Sequence, residues 1–467
     1  MHPALARLRT RLGPAGWLDQ PAAMAPYLEE SRARHHGAAL AVVRPADTAA
    51  VAAVLAACHE AGVGMVPQGG NTGRCAGALP TAGQLVLSLA RLDRIRAVDA
   101  LDGSLTAEAG CILADVQAAA RAHGRLFPLS LGAEGSCTIG GNLATNAGGL
   151  NVLRYGSARA LCLGLEVVLA DGRVWDGLRR LRKDNTGYDL RDLFIGSEGT
   201  LGVITAAVLR LFPLPERRAT ALAALADLDA CLALLARARH ASADTLTSFE
   251  LLPRIGLDAA VRHVPGCRDP FDVAHAWCVL LELDGAGDAP AARLEALLAD
   301  ALAAGEIVDA ATAASEAQAA ALWRLREGLV EAQRHEGASI KHDVAVPVSR
   351  VPEFIRQASA ACTALLPGVR PYPFGHVGDG NVHFNLSQPP GMAAADFLAC
   401  WGRCERVVHD LVAACGGSFS AEHGVGRSKT GEMARYKSPL ELELMRGIKR
   451  TLDPRGILNP GAVLPPG

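Results

Sequence analysis

Two histidines seven residues apart, and an acid-histidine pair further along, carry side chains able to do chemistry together. They lie in Gly375-His376-Val377-Gly378-Asp379-Gly380-Asn381-Val382-His383-Phe384-Asn385 and in Glu422-His423. Polar and apolar residues alternate from Val382 to Leu386. On a strand, His383 and Asn385 therefore share one face and Val382, Phe384 and Leu386 the other. A turn at Gly378-Asp379-Gly380 lets His376 swing back toward His383. Gly424 and Gly426 permit the irregular backbone that aims Glu422 and His423 at one place. Two His and one Glu are a common catalytic zinc set, three protein ligands with one position open. The same residues also serve as ordinary structural histidines, and the spacing alone does not choose between the two.

The elements that must position a reacting group beside such a cluster begin with Leu40–Val43 as a strand, a helix from Thr48 as its cap to about Glu60, and a second strand at 64–66. The loop Pro67-Gln68-Gly69-Gly70-Asn71-Thr72-Gly73-Arg74-Cys75-Ala76-Gly77 follows. It has neither P-loop nor G-x-G-x-x-G spacing, so an anion held here is held by successive loop amides, the alternative being a plain surface turn. A second glycine-rich stretch runs from Leu131 to Gly149. It is too apolar for a solvated linker, and a buried loop must satisfy its backbone polar groups. A bound polar ligand could do so, with Thr138, Asn142, Thr145 and Asn146 adding side-chain bonds, and the stretch reads as a cofactor channel. Strands at Leu163–Ala170 and Val174-Trp175 join through Asp171-Gly172, and Gly196–Thr205 opens a strand to Leu211. Pro213 and Pro215 close this first region. Strands at Ala219–Leu225, Cys278–Leu283 and Ser339–Val346 then alternate with helices at Leu228–Ala241, Ala291–Ala304 and Pro352–Leu365, a pattern that fits an α+β cap with an antiparallel sheet.

The whole chain is compatible with these parts. Its 467 residues allow about three domains. A net charge of -2 offers no basic field for nucleic acid, so the partner is a small molecule. No apolar run reaches the roughly 18 residues of a membrane span. Arg7, Arg9 and Arg11 superficially suggest a transit peptide but read as the polar face of a first surface helix. Twelve cysteines without a C-x-x-C pair read as reduced thiols of a cytoplasmic protein, with no iron-sulfur cluster.

Taken together, the loops at 68–77 and 131–149, Leu181–Leu190, Gly196–Thr205, Gly375–Asn385, Ala421–Gly426 and Asp453–Pro460 resemble the FAD-dependent D-2-hydroxy-acid dehydrogenases of the vanillyl-alcohol-oxidase/PCMH flavoprotein superfamily. The resemblance spans residues 39–463. It implies an α+β fold: an N-terminal helical segment over 1–36, a PCMH-type FAD-binding domain of two α+β subdomains over 37–215, a cap with an antiparallel sheet over 216–415, and a C-terminal return segment over 416–467. FAD is implied on Gln68, Gly69, Gly70, Asn71, Thr72 and Gly73 of the first loop. On the second it is implied at Gly135, Ser136, Thr138, Ile139, Gly140, Gly141, Asn142, Thr145, Asn146 and Gly148. Glu198, Gly199, Gly202, Ile204 and Asn459 complete the set. The first loop holds no His, so noncovalent FAD is expected.

The resemblance further implies that His376, His383 and Glu422 bind zinc, or Mn2+ or Co2+. His423 becomes the base at the substrate hydroxyl, and Arg326, Lys341 and Asn385, with His423, contact the substrate. Asp379 is expected to orient a ligating histidine. The implied reaction oxidises a D-2-hydroxy acid, D-2-hydroxyglutarate and also D-malate, to the 2-oxo acid. Alternatives are a D-lactate or glycolate-type dehydrogenase, a broad-range one, and an oxidase. Electron-transfer flavoprotein is the expected acceptor and a homodimer the expected assembly. One departure stands out: Val330 occupies the place of a Thr that the family sets four residues after the Arg, among the carboxylate ligands. A missing hydroxyl partner removes roughly 1–2 kcal/mol from a neutral bond and more where the acceptor is a carboxylate, which points to a shifted substrate preference.

Overall fold

A computed structural model describes residues 2–30 and 35–466 of the chain. Residues 1 and 31–34 of the expected N-terminal segment lie outside the described residues, and its described part includes helices at Pro3–Gly16 and Pro21–Leu28. The chain divides into two units. One comprises the N-terminal part to Gly149, Gly156–Leu214 and everything from Glu422 onward; the other comprises Leu150–Tyr155 and Pro215–Ala421.

The first unit opens as the hydrophobic pattern dictates. Val51, Val54, Leu55 and Cys58 form the buried stripe of the helix Thr48–Ala61. Its cap is Asp47, not Thr48. Asp47 is extended and its carboxylate accepts from Ala50 N at 2.7 Å, a reach that a residue already inside the helix lacks. The helix crosses between parallel strands in a sheet ordered Trp17–Leu18, Ala41–Val43, Leu85–Ser88, Met65–Gln68. A five-stranded antiparallel sheet follows, with Val203–Arg210 at its centre, flanked by Ser104–Glu108 and Cys162–Val168. The C-terminal part is more helical than its turn-rich end suggests. Ser438 and Glu441 form a capping box that starts the helix Pro439–Leu452. Beyond it the tail lies against the strand Met65–Gln68, through Met65 N to Ile457 O and Asn459 N to Met65 O, both 2.8 Å.

In the second unit a four-stranded antiparallel sheet runs Leu246–Pro253, Trp277–Gly285, Arg217–Leu225, Ile307–Thr312. Successive residues feed opposite faces. Ala221, Ala223, Phe249 and Leu251 enter a core with the helices Ala230–Ser242 and Ala289–Ala303. Leu222, Ala224, Leu252 and Leu280 enter another, with Arg254–His263 and the long helix Glu316–His335. A second sheet has Asn381–Ser387 at its centre, paired with Arg370–Phe374 and with Ser339–Ile340 and Asp343–Ala345. The single strand expected over 339–346 is thus broken in two around Lys341 and His342. Val382, Phe384 and Leu386 are fully buried, as their alternation requires. The two sheets touch through Leu251 N to Gly375 O, 2.9 Å, and Gly375 N to Leu251 O, 3.2 Å.

Candidate active site

In the first unit one cleft is lined by the loop after the strand Met65–Gln68, by parts of Cys137–Thr145 and Ser197–Ile204, and by His423. The two glycine-rich loops close on each other without side chains between them. A Cβ on Gly69 would stand 2.2 Å from Thr138 Oγ1, and one on Gly70 1.9 Å from Ser136 O. Within the second loop lies a six-residue helix, Ile139–Ala144, capped by Thr138 Oγ1. Sequence reading leaves this stretch as a loop because Gly140-Gly141 is a poor helix signal. Here Gly140 is needed for close approach, since a Cβ would meet that of Ala109 at 2.7 Å. Asn142 is 5% exposed on the cleft wall, and its amide nitrogen lacks an oxygen partner among the described residues.

Of the residues implied for FAD, Gly135, Ser136, Ile139, Asn146, Gly148 and Asn459 do not line the cleft; the others do. Several of the set are spent holding walls in place. Gln68 donates to Tyr27 O and Ala78 O at 2.9 and 3.0 Å, and Asn71 to Glu29 O at 2.7 Å. Asn146 Oδ1 accepts from Ser157 Oγ and Arg159 N. Asn459 bridges Gly77 O and Glu198 O, both at 2.9 Å. Asn71, Asn146, Glu198 and Asn459 all adopt positive φ, and such strain concentrates at functional loops.

Glu198 has a particular task. Its carboxylate accepts from Val425 N at 2.7 Å and Gly426 N at 2.8 Å, so it grips the turn that follows Glu422-His423. Burial raises its pKa, while those two amides and Lys429 pull it down. Gly424 and Gly426 both have positive φ there. A Cβ on Gly424 would lie 2.6 Å from Glu198 Oε1, and one on Gly426 2.0 Å from Cys75 O. Glu422 in turn accepts from Gly149 N at 2.7 Å. Arg427, a residue the motif reading did not single out, ties the turn to Leu79 O and Pro460 O.

In the second unit the imidazoles of His376 and His383 converge, their ring centroids 5.3 Å apart. Gly375, at φ 132, allows the chain to turn there. The carboxylate on His376 is Glu250, with Nδ1 to Oε1 at 2.7 Å. Asp379, expected to orient a ligating histidine, instead accepts from Asn381 N in its own turn. Glu250 also receives Arg326 Nε at 2.7 Å. Burial would raise the Glu250 carboxyl, but His376 and Arg326 hold it down at about 2. His383 Nδ1 lies 3.6 Å from Asp343 Oδ1. Asn385 donates to Gln333 Oε1 at 2.9 Å, and Gln333 to Ser387 Oγ. Arg326, Val330 and Gln333 stand at i, i+4 and i+7 on one face of the helix Glu316–His335. Lys341 is half-buried between the two short strands. Glu250 and Gln333 were missed from sequence, though a lone acid inside Ser248-Phe249-Glu250-Leu251-Leu252 is a legible signal of a buried charge with a partner.

The profile of the C-terminal domain of FAD-linked oxidases matches residues 214–463, more than half of the chain, and that of an FAD-binding domain matches 39–177. The chain belongs to the FAD-linked oxidase family. It is an FAD-dependent dehydrogenase of that family, with relatives spanning nearly its whole length. A probable mitochondrial D-2-hydroxyglutarate dehydrogenase of Oryza sativa subsp. indica is 39% identical over 435 residues, 92% of this chain and 76% of that one. The D-2-hydroxyglutarate dehydrogenase of Xanthomonas citri pv. viticola is 38% identical over 95% of this chain and 93% of its own. A D-2-hydroxyglutarate–pyruvate transhydrogenase of Saccharomyces cerevisiae is 32% identical over 94% of this chain and 89% of its own. Among solved structures, p-cresol methylhydroxylase with substrate bound superposes with a TM-score of 0.77 at 17% identity, covering 98% of this chain and 95% of that one. Alkyldihydroxyacetonephosphate synthase gives 0.77 at 16% identity, covering 98% and 86%. The fold is the PCMH type expected from the sequence. No helix among the described residues is long and apolar enough to cross a membrane.

Proposed function

We propose that this FAD-linked oxidase oxidises a D-2-hydroxy acid, D-2-hydroxyglutarate before D-malate, to the 2-oxo acid. The observation that carries the reading is His423, whose imidazole, a side chain able to accept a proton, stands on the wall of the glycine-lined cleft. The names of the rice and Xanthomonas relatives point to the same substrate.

The cleft residues fit FAD. Backbone amides and small side chains form its wall, the buried Asn142 amide asks for an acceptor, and Glu198 turns its carboxylate onto Val425 and Gly426. Bound there, FAD would supply the hydride acceptor. The donor set His376, His383 and Glu422 suits zinc or another divalent ion, which would polarise the substrate oxygens. With Nδ1–H of a neutral His376 on Glu250, the lone pair is on Nε2, the form in which imidazole ligates a metal. In this reading His423 takes the hydroxyl proton, Glu198 keeps its turn in place, and Arg326, Lys341 and Asn385 hold carboxylate and hydroxyl oxygens. Electron-transfer flavoprotein is the proposed acceptor, the assembly a homodimer and the compartment the cytoplasm.

An anaerobic titration with D-2-hydroxyglutarate, D-malate, D-lactate and glycolate tests it. The visible flavin band should bleach fastest with D-2-hydroxyglutarate. Faster bleaching by lactate or glycolate would move the protein to the monocarboxylate class, and a colourless purified protein would remove the redox reading.

A further inference from the structure

Every residue of the strand Leu246–Pro253 is buried, and Glu250 is its only charged one. Side-chain exposures of 1% for Glu250, 7% for Arg326 and 8% for His376 leave no solvent to compensate the charges. A buried carboxylate persists only with partners, and this one divides its oxygens between two. Oε2 faces Arg326 Nε and Oε1 faces His376 Nδ1, each at 2.7 Å. Three chain segments meet there: the strand, the helix Glu316–His335, and the turn entered through Gly375, whose backbone pairs with Leu251, the neighbour of Glu250.

We propose that Glu250 is a positioning residue for two groups at once. It sets the His376 ring in the tautomer that presents Nε2 to the metal, and it holds Arg326 by Nε so that the Nη pair is the edge that meets a substrate carboxylate. The proposal rests on reading His376 as a metal ligand and Arg326 as a carboxylate ligand. A simple structural ion pair requires only Arg326 and Glu250. The added imidazole makes metal affinity depend on Glu250 and not on Arg326.

The test is zinc content and chelator competition on FAD-loaded protein, with Tm measured alongside, for wild type, Glu250→Gln, Arg326→Met, the Glu250→Gln/Arg326→Met double variant and His376→Ala. The double variant removes both charges, so no unpaired Arg326 is left buried. Arg326→Met should hold zinc near the wild-type affinity, while Glu250→Gln and the double variant should bind it about 10–100-fold more weakly. In Glu250→Gln, KM for D-2-hydroxyglutarate should rise as well. Wild-type zinc affinity in the double variant, with zinc lost from His376→Ala, would overturn the role of Glu250 and leave the metal reading intact. Equal zinc binding by His376→Ala and wild type would overturn both.

Discussion

His423 borders the cleft, and its turn is held by Glu198 through the backbone amides of Val425 and Gly426. His423→Ala should therefore bind FAD with an unchanged visible spectrum yet be reduced by substrate about 10²–10⁴-fold more slowly, the usual contribution of a general base. Stopped-flow bleaching at the wild-type rate would remove it from the mechanism. Val330, half-buried one turn beyond the buried Arg326 on the same helix face, is the second decisive side chain. Val330→Thr should raise kcat/KM for D-2-hydroxyglutarate by at least roughly tenfold, since one hydrogen bond to a charged acceptor is worth about 1.5–3 kcal/mol, and leave D-lactate nearly unchanged. An equal gain on both acids would show that the position does not discriminate.

At the scale of elements, the turn after His423 and the helix that follows it make opposite demands on glycine. Gly426 has φ 53 and no room, its Cβ position being 2.0 Å from Cys75 O. Gly431 lies inside the helix Thr430–Tyr436, with nothing within 4 Å of its Cβ position. Gly426→Ala should lower Tm and slow flavin reduction, because relieving the clash must shift the turn that carries His423. Gly431→Ala should stabilise by about 0.5–1 kcal/mol, the helix cost of glycine relative to alanine. Thermal melts of the two variants against wild type check the contrast.

At the scale of the whole molecule, three acids of the second unit make opposed contributions to the pH dependence of stability. Glu250 is held at about 2 against its burial, and Glu336, hydrogen-bonded by Arg370 and His263, is also lowered to about 2. Both lie below the ordinary 4.5, so their stabilisation is complete above that pH and drains away as pH falls from 4.5 toward 2. Asp284 runs the other way. Burial lifts it from 3.8 to about 6, so stability is lost as pH rises between those values. The combined contribution of these three groups should thus be greatest between about pH 4 and pH 5. Asp284→Asn should flatten the decline toward pH 6 and leave the acid limb in place, which a series of melts from pH 3 to pH 7 would read.

Much was legible in the residues alone. The period-two alternation at 382–386, the helical stripe of 51–58 and the small residues of the two glycine-rich loops each reflect local rules, of which face is buried or how close a backbone may come. Motif order carried the family, since seven short segments in sequence leave few other folds. What local patterns could not supply were contacts between distant segments. Glu250 meets His376 across 126 residues, and Glu198 meets Val425 across 227. A lone carboxylate in an apolar strand announces only that some partner exists. Which partner it finds depends on how sheets and helices stack, and so on the tertiary packing that assigned His376 to Glu250 instead of Asp379.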